Sequence, residues 1–270
     1  MLEAVLGFFA KALITAVVLF IISLVSERLG PFMASVLLTL PANAGPGYFF
    51  LSLEVSPEFL SVGALQSFAA TGGVLAFTGC YIQSTRCFHY IFSILLSSLG
   101  WASAVWLFRF LEPSLVNSLI GVGLGALVGI SMRRKLDVFS RPRTARGGRA
   151  LVLVRSLAGG MTVAGIATAA EAIGPAVTGL LFGFPVTFIA TSWMLSRQYG
   201  LEFSAATLQS AQFTLPAFAG FCLVLHFAAD PVIGRFSGLQ SWGLGIAASM
   251  LIGIAIAGIG EWFRRASRAS

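Results

Sequence analysis

The chain of 270 residues is 57% hydrophobic and only 10% charged, and its mean hydropathy is +0.91. A soluble globular domain carries roughly 25% charged residues, so this composition excludes a water-facing surface over most of the chain. The net charge is +7, but the basic residues cluster at residues 133–149 and at the C-terminus. This clustering is typical of the cytoplasmic side of a membrane protein, and we do not expect nucleic acid as a partner.

Apolar blocks of about 20 residues recur along the chain, and this is the helix length that crosses roughly 30 Å of hydrocarbon. The blocks are apolar all round, whereas the strands of a membrane barrel alternate apolar and polar residues. We therefore predict an all-α integral membrane protein with about nine transmembrane helices. In chain order, the predicted spans are residues 5–26, 31–53, 60–82, 88–110, 114–132, 150–170, 175–196, 204–227 and 240–262.

The basic loop divides the chain and sets its predicted orientation. Residues 1–132 form a first half of five spans, residues 133–149 form the loop, and residues 150–270 form a second half of four spans. Clustered Arg and Lys mark the cytoplasmic side, which places the C-terminus inside and the N-terminus outside. Arginine supplies 15 of the 17 basic residues, which favours a high-GC bacterial source and hence the bacterial inner membrane. The loop is expected to contact anionic lipid headgroups.

An internal repeat relates residues 11–67 to residues 155–210. At an offset of 144 residues, the matched pairs include Glu27 with Glu171, Gly30 with Gly174, Pro31 with Pro175 and Pro41 with Pro185. Five spans separate equivalent positions, and because this number is odd, the two copies are predicted to have opposite orientations. Inverted-topology repeats of this kind recur in secondary transporters.

The candidate binding site lies where the second and seventh spans are interrupted. Proline removes a backbone donor, and non-helical backbone within hydrocarbon is tolerated only where protein buries it or a water-filled cavity solvates it. Buried glutamines on the third and eighth spans are expected to face the same interior. The predicted substrate-binding residues are Thr39, Pro41, Asn43, Gly45, Pro46, Gln66, Pro185, Thr187, Gln209 and Gln212. The alternatives are kinks relieved by helix packing, and glutamines that bond between helices without a ligand.

Two further features of the sequence each have two interpretations. Glu27 and Glu171 end their spans just before Gly-Pro, where a carboxylate either stabilises the start of the next helix or couples transport to a cation. Gly121, Gly125 and Gly129 are spaced for a close helix contact within the fold or for a dimer face. The sequence contains no HExxH, P-loop or GxSxG motif, so we expect no enzyme activity, no metal and no cofactor.

One segment resembles a group of uncharacterised bacterial multi-pass membrane proteins. The resemblance rests on Glu27-Arg28-Leu29-Gly30-Pro31, Leu40-Pro41 and Gly45-Pro46, with Gly174-Pro175 and Phe184-Pro185 as a weaker second copy. This resemblance implies no activity. The five-plus-four arrangement is also loosely similar, in architecture alone, to the drug/metabolite transporter superfamily.

The function expected from the sequence is that of a small secondary transporter or facilitator for a small polar or amphipathic solute. Alternating access around the interrupted second and seventh spans would move the solute. The alternative is a non-transporting scaffold or assembly subunit of a larger membrane complex. Besides the solute and membrane lipids, the expected partner is either a second copy of the chain or another membrane subunit.

Overall fold

Helices form all of the regular structure in the part of the chain that the computed structural model describes, residues 2–28, 41, 44–108, 110–136 and 149–269. The prediction of an all-α protein is therefore confirmed for these ranges. In chain order, the helices are α1 (Leu2–Arg28), α2 (Ala44–Glu54), α3 (Pro57–Ser84), α4 (Tyr90–Phe108), α5 (Leu115–Ser131), α6 (Arg149–Phe182), α7 (Val186–Tyr199), α8 (Leu201–Ala229) and α9 (Gly238–Ala269).

Six apolar stretches of the described residues have the length and composition of membrane spans. They are Val5–Ile22, Pro57–Ser84, Tyr90–Phe108, Val152–Tyr199, Leu201–Ala229 and Gly238–Gly260. The 17-residue α5 is apolar but shorter. Many large apolar side chains lie on the outer surface, among them Leu99, which is 64% exposed, and Ile254, which is 68% exposed. Such a surface is suited to lipid rather than to water, as a multi-pass membrane protein requires.

A bend at Gly174 divides α6. The φ of Gly174 is 81° and its ψ is 166°, a conformation that glycine adopts without steric cost. The following Pro175 provides no backbone donor and disfavours a helical conformation in the residue before it, so the chain turns here. Gly174 is therefore a break between two helical segments, and the second segment begins at Pro175, where the seventh span was predicted to start.

The antiparallel pair of α3 and α8 occupies the centre of the bundle. Three hydrogen bonds between their side chains follow one another along the pair, with the residue numbers rising in α3 as they fall in α8. They join Ser61 Oγ to His226 Nδ1 (2.9 Å), Gln212 Nε2 to Thr78 Oγ1 (2.9 Å) and Tyr81 Oη to Ser204 Oγ (3.0 Å). Around this pair, α4 and α5 pack on α3, α9 packs on α8, and α1 packs on α6.

Glycines allow α5 to lie directly on the backbone of α3. A Cβ atom on Gly125 would lie 2.5 Å from the carbonyl carbon of Gly72, closer than any real Cβ contact. On the next turn, a Cβ on Gly129 would lie 2.9 Å from the Leu75 carbonyl oxygen. The glycine motif predicted on α5 therefore forms a close contact within the fold, as the first of its two interpretations requires.

Candidate site at two helix interruptions

The helix of the second half is interrupted between Phe182 and Val186, at the predicted position. Proline at residue 185 has no N–H and restricts Phe184, so the regular pattern of helix hydrogen bonds stops here. Gly183 N donates to the Leu180 carbonyl at 3.2 Å, and Val186 N donates to the Phe184 carbonyl at 2.8 Å. The carbonyl groups of Phe182 and Gly183 accept no backbone hydrogen bond from any described residue.

The first half differs from the prediction at Gly45 and Pro46. These residues were expected to unwind the second span, but α2 begins at Ala44 and includes both of them in its first turn. A proline is tolerated there because the first N–H groups of a helix have no intrahelical partner. The buried Pro41 precedes the helix, and its carbonyl accepts a 2.5 Å bond from Gly45 N. Thr39 and Asn43 lie outside the described residues.

A tryptophan from the other half of the chain holds the start of α2. Trp242, on α9, donates its indole N–H to the Gly45 carbonyl at 2.8 Å. The indole also packs edge-on against Phe49, with 5.1 Å between the ring centroids. The second interruption is likewise covered from the opposite half, because Trp101 of α4 lies 5.0 Å from the Phe184 ring.

The interrupted end of α6 and the start of α2 meet through the side chain of Phe182. A Cβ on Gly47 would lie 2.6 Å from Phe182 Cζ, so only glycine leaves room for the ring in this position. The Tyr48 ring lies 5.0 Å from the Phe182 ring. The end of α6 and the start of α2 are therefore separated by a single aromatic side chain.

Polar groups of α3 lie against the same part of α6. Ser67 Oγ donates to the Gly179 carbonyl at 2.7 Å and lies 2.8 Å from Tyr48 Oη. The neighbouring Gln66 is only 5% exposed, and a Cβ on Gly179 would lie 2.9 Å from its Cβ. The Gln66 amide has no hydrogen bond to any described residue. A glutamine amide has two N–H donors and a carbonyl oxygen with two lone pairs, and no described residue uses any of them here.

The other two predicted glutamines are bonded within the protein. Gln209 accepts from Arg134 N at 2.9 Å and donates to the Arg134 carbonyl at 3.0 Å. Gln212 donates to Thr78 Oγ1 and accepts from Arg133 Nε, both at 2.9 Å. Gln212 therefore joins α8 to α3, as in the alternative interpretation of a bond between helices, whereas Gln209 joins α8 to the backbone that follows α5. Thr78 lies eight residues, or about 12 Å, beyond the part of α3 that contacts Gly183.

The remaining predicted residues lie at the edges of this site. Pro185 is the residue that precedes α7, and Thr187 is half-buried in the first turn of that helix. Glu171 is exposed on α6, one turn before the bend. Glu27 lies at the end of α1, and its side chain is outside the described part of the chain. A role of either carboxylate in ion coupling stays a prediction.

Sequence reasoning missed three residues at the site, Tyr48, Ser67 and Phe182. Tyr48 and Phe182 lie in apolar segments, where the residue type alone does not distinguish a site residue from one that faces lipid. Ser67 had a signal, because it belongs to the Leu-Gln-Ser run that recurs at residues 208–210. The glutamines of the two runs, Gln66 and Gln209, were predicted as site residues, and the serines were not.

The hydrogen bonds to Tyr48, Gly179 and Gly45 described above come from neutral side chains. One ion pair is formed among the described residues, between Lys11 and Glu54, with 2.6 Å between Nζ and Oε2. It joins α1 to the far end of α2. The groups at the interruptions themselves are carbonyls, an amide, hydroxyls and aromatic rings, all of them neutral.

No protein-family model, curated protein or solved structure matches this chain.

Proposed function

We propose that the protein is a small secondary transporter or facilitator of the bacterial inner membrane, which moves a small polar or amphipathic solute by alternating access. The observation that carries this proposal is the contact between the interrupted end of α6, at Phe182, and the first turn of α2, at Gly47. Interrupted helices in corresponding positions of two halves are a recurrent feature of transport sites.

We further propose nine spans in two inverted-topology halves, residues 1–132 and 150–270, with the N-terminus outside and the C-terminus in the cytoplasm. The antiparallel pairing of α3 with α8 supports this arrangement, because these helices occupy equivalent places in the repeat. The neighbouring contacts also correspond: α4 packs on α3 and reaches α7, while α9 packs on α8 and reaches α2.

Polar groups that have no hydrogen bond to a described residue support a binding site at the interruption. Within hydrocarbon, each unpaired backbone group costs several kcal/mol, so the Phe182 and Gly183 carbonyls, with the Gln66 amide nearby, favour a polar partner such as water or a solute. These groups are neutral and lie next to aromatic rings. Their chemistry is suited to a polar or amphipathic solute that carries hydrogen-bond donors.

The bend at Gly174 supplies a hinge for the proposed motion. Residues 175–182 lie between this bend and the interruption, and they contact both α3 and α2. A small rotation about Gly174 would withdraw Phe182 from Gly47 and open the site on one side. Hinges of this type absorb the backbone change in one or a few residues.

The proposal is tested by solute-driven swelling of liposomes that contain the purified protein. The probes are glycerol, urea, a pentose and a neutral amino acid, and light scattering measures their entry. Wild-type protein is expected to accelerate at least one of them over empty liposomes. Gln66→Leu should reduce that rate several-fold because it removes the free amide. Gln83→Leu, the same change at the end of α3, should not. Equal rates for both variants would argue against a site at Gln66.

A second candidate function is that of a non-transporting scaffold or assembly subunit, with a second copy or another membrane protein as its partner. The internal bonding of Gln209 and Gln212 favours it, since two of the three predicted glutamines are occupied by protein groups. This candidate predicts no solute entry above that of empty liposomes, and co-purification with a stoichiometric membrane partner.

A further inference from the structure

Two arginines at the start of the basic loop are held in place by side chains from the interior. Arg133 Nε donates to Gln212 at 2.9 Å, and Gln212 is itself fixed by Thr78. The backbone of Arg134 is bonded at both its N–H and its carbonyl to Gln209. Both arginines are half-buried. Their positions are therefore set by α8 rather than by the flexibility of a surface side chain.

These two cations have no anionic partner among the described residues. The Arg133 guanidinium uses Nε for Gln212 and lies 4.3 Å from the Phe213 ring centroid. Arg134 Nη1 donates to the Ile82 carbonyl at 3.2 Å, a neutral acceptor. Further N–H groups of both side chains have no bond to a described residue. A half-buried guanidinium is stabilised strongly by a phosphate or carboxylate, which accepts two parallel hydrogen bonds from it.

The surface beside these cations is apolar. Phe213 on α8 is 54% exposed, and Ile130 on the last turn of α5, whose carbonyl accepts from Arg133 N at 3.1 Å, is also 54% exposed. The two helices approach each other here, because the Gln212 amide also donates to the Gly129 carbonyl at 3.3 Å. A ligand at this place meets fixed positive charge at one end and apolar side chains at the other.

We propose that this is a binding site for one anionic phospholipid. Its phosphate is held by Arg133 and Arg134, and one acyl chain lies along Phe213 and Ile130. Charge complementarity and the adjoining apolar surface together select this occupant, since a free phosphate would leave the apolar side chains without a partner. The bound lipid joins the end of α5 to the middle of α8. The site is independent of whether the protein transports a solute.

The test measures lipid binding to the full chain in a neutral detergent. Phosphatidylglycerol is titrated and the bound lipid counted by native mass spectrometry, with phosphatidylcholine as the neutral comparison. The wild type is expected to retain one phosphatidylglycerol and to discriminate against phosphatidylcholine. Arg133→Gln should weaken that binding by about tenfold or more, as the loss of a charged hydrogen-bonded pair implies. The matched control is Lys135→Gln, which removes the same charge from an exposed residue two positions along the chain.

Three outcomes would overturn the proposal. Equal weakening by Lys135→Gln and Arg133→Gln would indicate diffuse attraction to the basic loop instead of a built site. A rise in unfolding temperature with inorganic phosphate equal to that with phosphatidylglycerol would indicate a free-anion site. If Arg133→Gln fails to fold, Arg133→Lys replaces it, because this variant keeps the positive charge. It should bind phosphatidylglycerol several-fold more weakly than the wild type, since an ammonium lacks the two parallel donors of a guanidinium. Wild-type affinity in Arg133→Lys would also contradict the assignment.

Discussion

Substitution of Gly47 tests whether the start of α2 contacts the interrupted end of α6. In Gly47→Ala, the new Cβ would lie 2.6 Å from Phe182 Cζ and closer still to Cε1, whereas carbon atoms in contact are about 3.5 Å apart or more, so the ring must move by more than about 1 Å. Phe182 is buried against the fully buried Tyr48, so this movement disturbs a packed cluster. Overpacking costs about 1–3 kcal/mol, and Gly→Ala within a helix returns up to about 1 kcal/mol. We expect Gly47→Ala to lower the free energy of unfolding by about 1–2 kcal/mol.

A double-mutant cycle with Phe182→Ala isolates this contact. Phe182→Ala alone should cost about 3–5 kcal/mol, because it empties a buried position. In the double variant, Gly47→Ala no longer meets the ring, so it should be neutral or stabilising, with a coupling of about 1–3 kcal/mol. The free energy of unfolding is measured in mixed detergent for the wild type, the two single variants and the double variant. Gly165→Ala is the control, since its Cβ would have no neighbour within 4 Å. Additive effects would refute the contact between the interruptions.

Three further changes test the surrounding structure. Gly125→Ala should destabilise the protein by about 1–3 kcal/mol because the new methyl group separates α5 from α3. Gly123→Ala is the control, since its Cβ would meet nothing within 4 Å, and it should not lower stability. Denaturant unfolding compares the two variants, and equal stability would contradict the close packing of α5 on α3. Trp242→Phe removes the hydrogen-bond donor to the Gly45 carbonyl and should lower the free energy of unfolding by about 1 kcal/mol in the same assay. Trp106→Phe, at an exposed position, should leave it unchanged. Equal effects of the two changes would show that the Trp242 hydrogen bond does not stabilise the start of α2. Two backbone N–H groups bond to the Asp230 carboxylate and lower its pKa. The ionised carboxylate therefore stabilises the folded protein at pH values above its unfolded-state pKa, and this contribution is lost as pH falls through its folded-state pKa. The unfolding temperature of the wild type should therefore fall more than that of Asp230→Asn between about pH 5 and about pH 3, and parallel curves would contradict this.

The interruption at Pro185 and the glycine contact of α5 were predictable because each depends on local chemistry. A proline removes a helix donor wherever it stands in a helix interior, and glycines four residues apart always share one face. The predicted unwinding at Gly45 and Pro46 was wrong, because the effect of a proline depends on its position in the helix. A proline in the first turn is tolerated, whereas one farther in breaks the helix, and the sequence does not mark the start of α2 at Ala44.

The partners of the glutamines depend on the tertiary fold. Burial of Gln66, Gln209 and Gln212 was expected from the cost of an amide in lipid, and all three are buried. Their partners were not predictable, because Gln209 bonds to the backbone of Arg134, 75 residues away, through a contact with no sequence pattern. The same applies to Phe182, whose position against Gly47 follows from the bend at Gly174 and the placement of α2.

Access to the interruption is measured most directly by labelling a single cysteine at residue 66. Cys80, Cys87 and Cys222 are first replaced by serine or alanine, and Gln66→Cys is compared with Ala164→Cys, which is fully buried on α6. A small membrane-impermeant thiol reagent is added to reconstituted protein from one side and then from the other. If the interruptions form a transport site with alternating access, Gln66→Cys reacts from both sides and Ala164→Cys from neither. A Gln66→Cys protein that is folded and unreactive from both sides would contradict a solute pathway at this position.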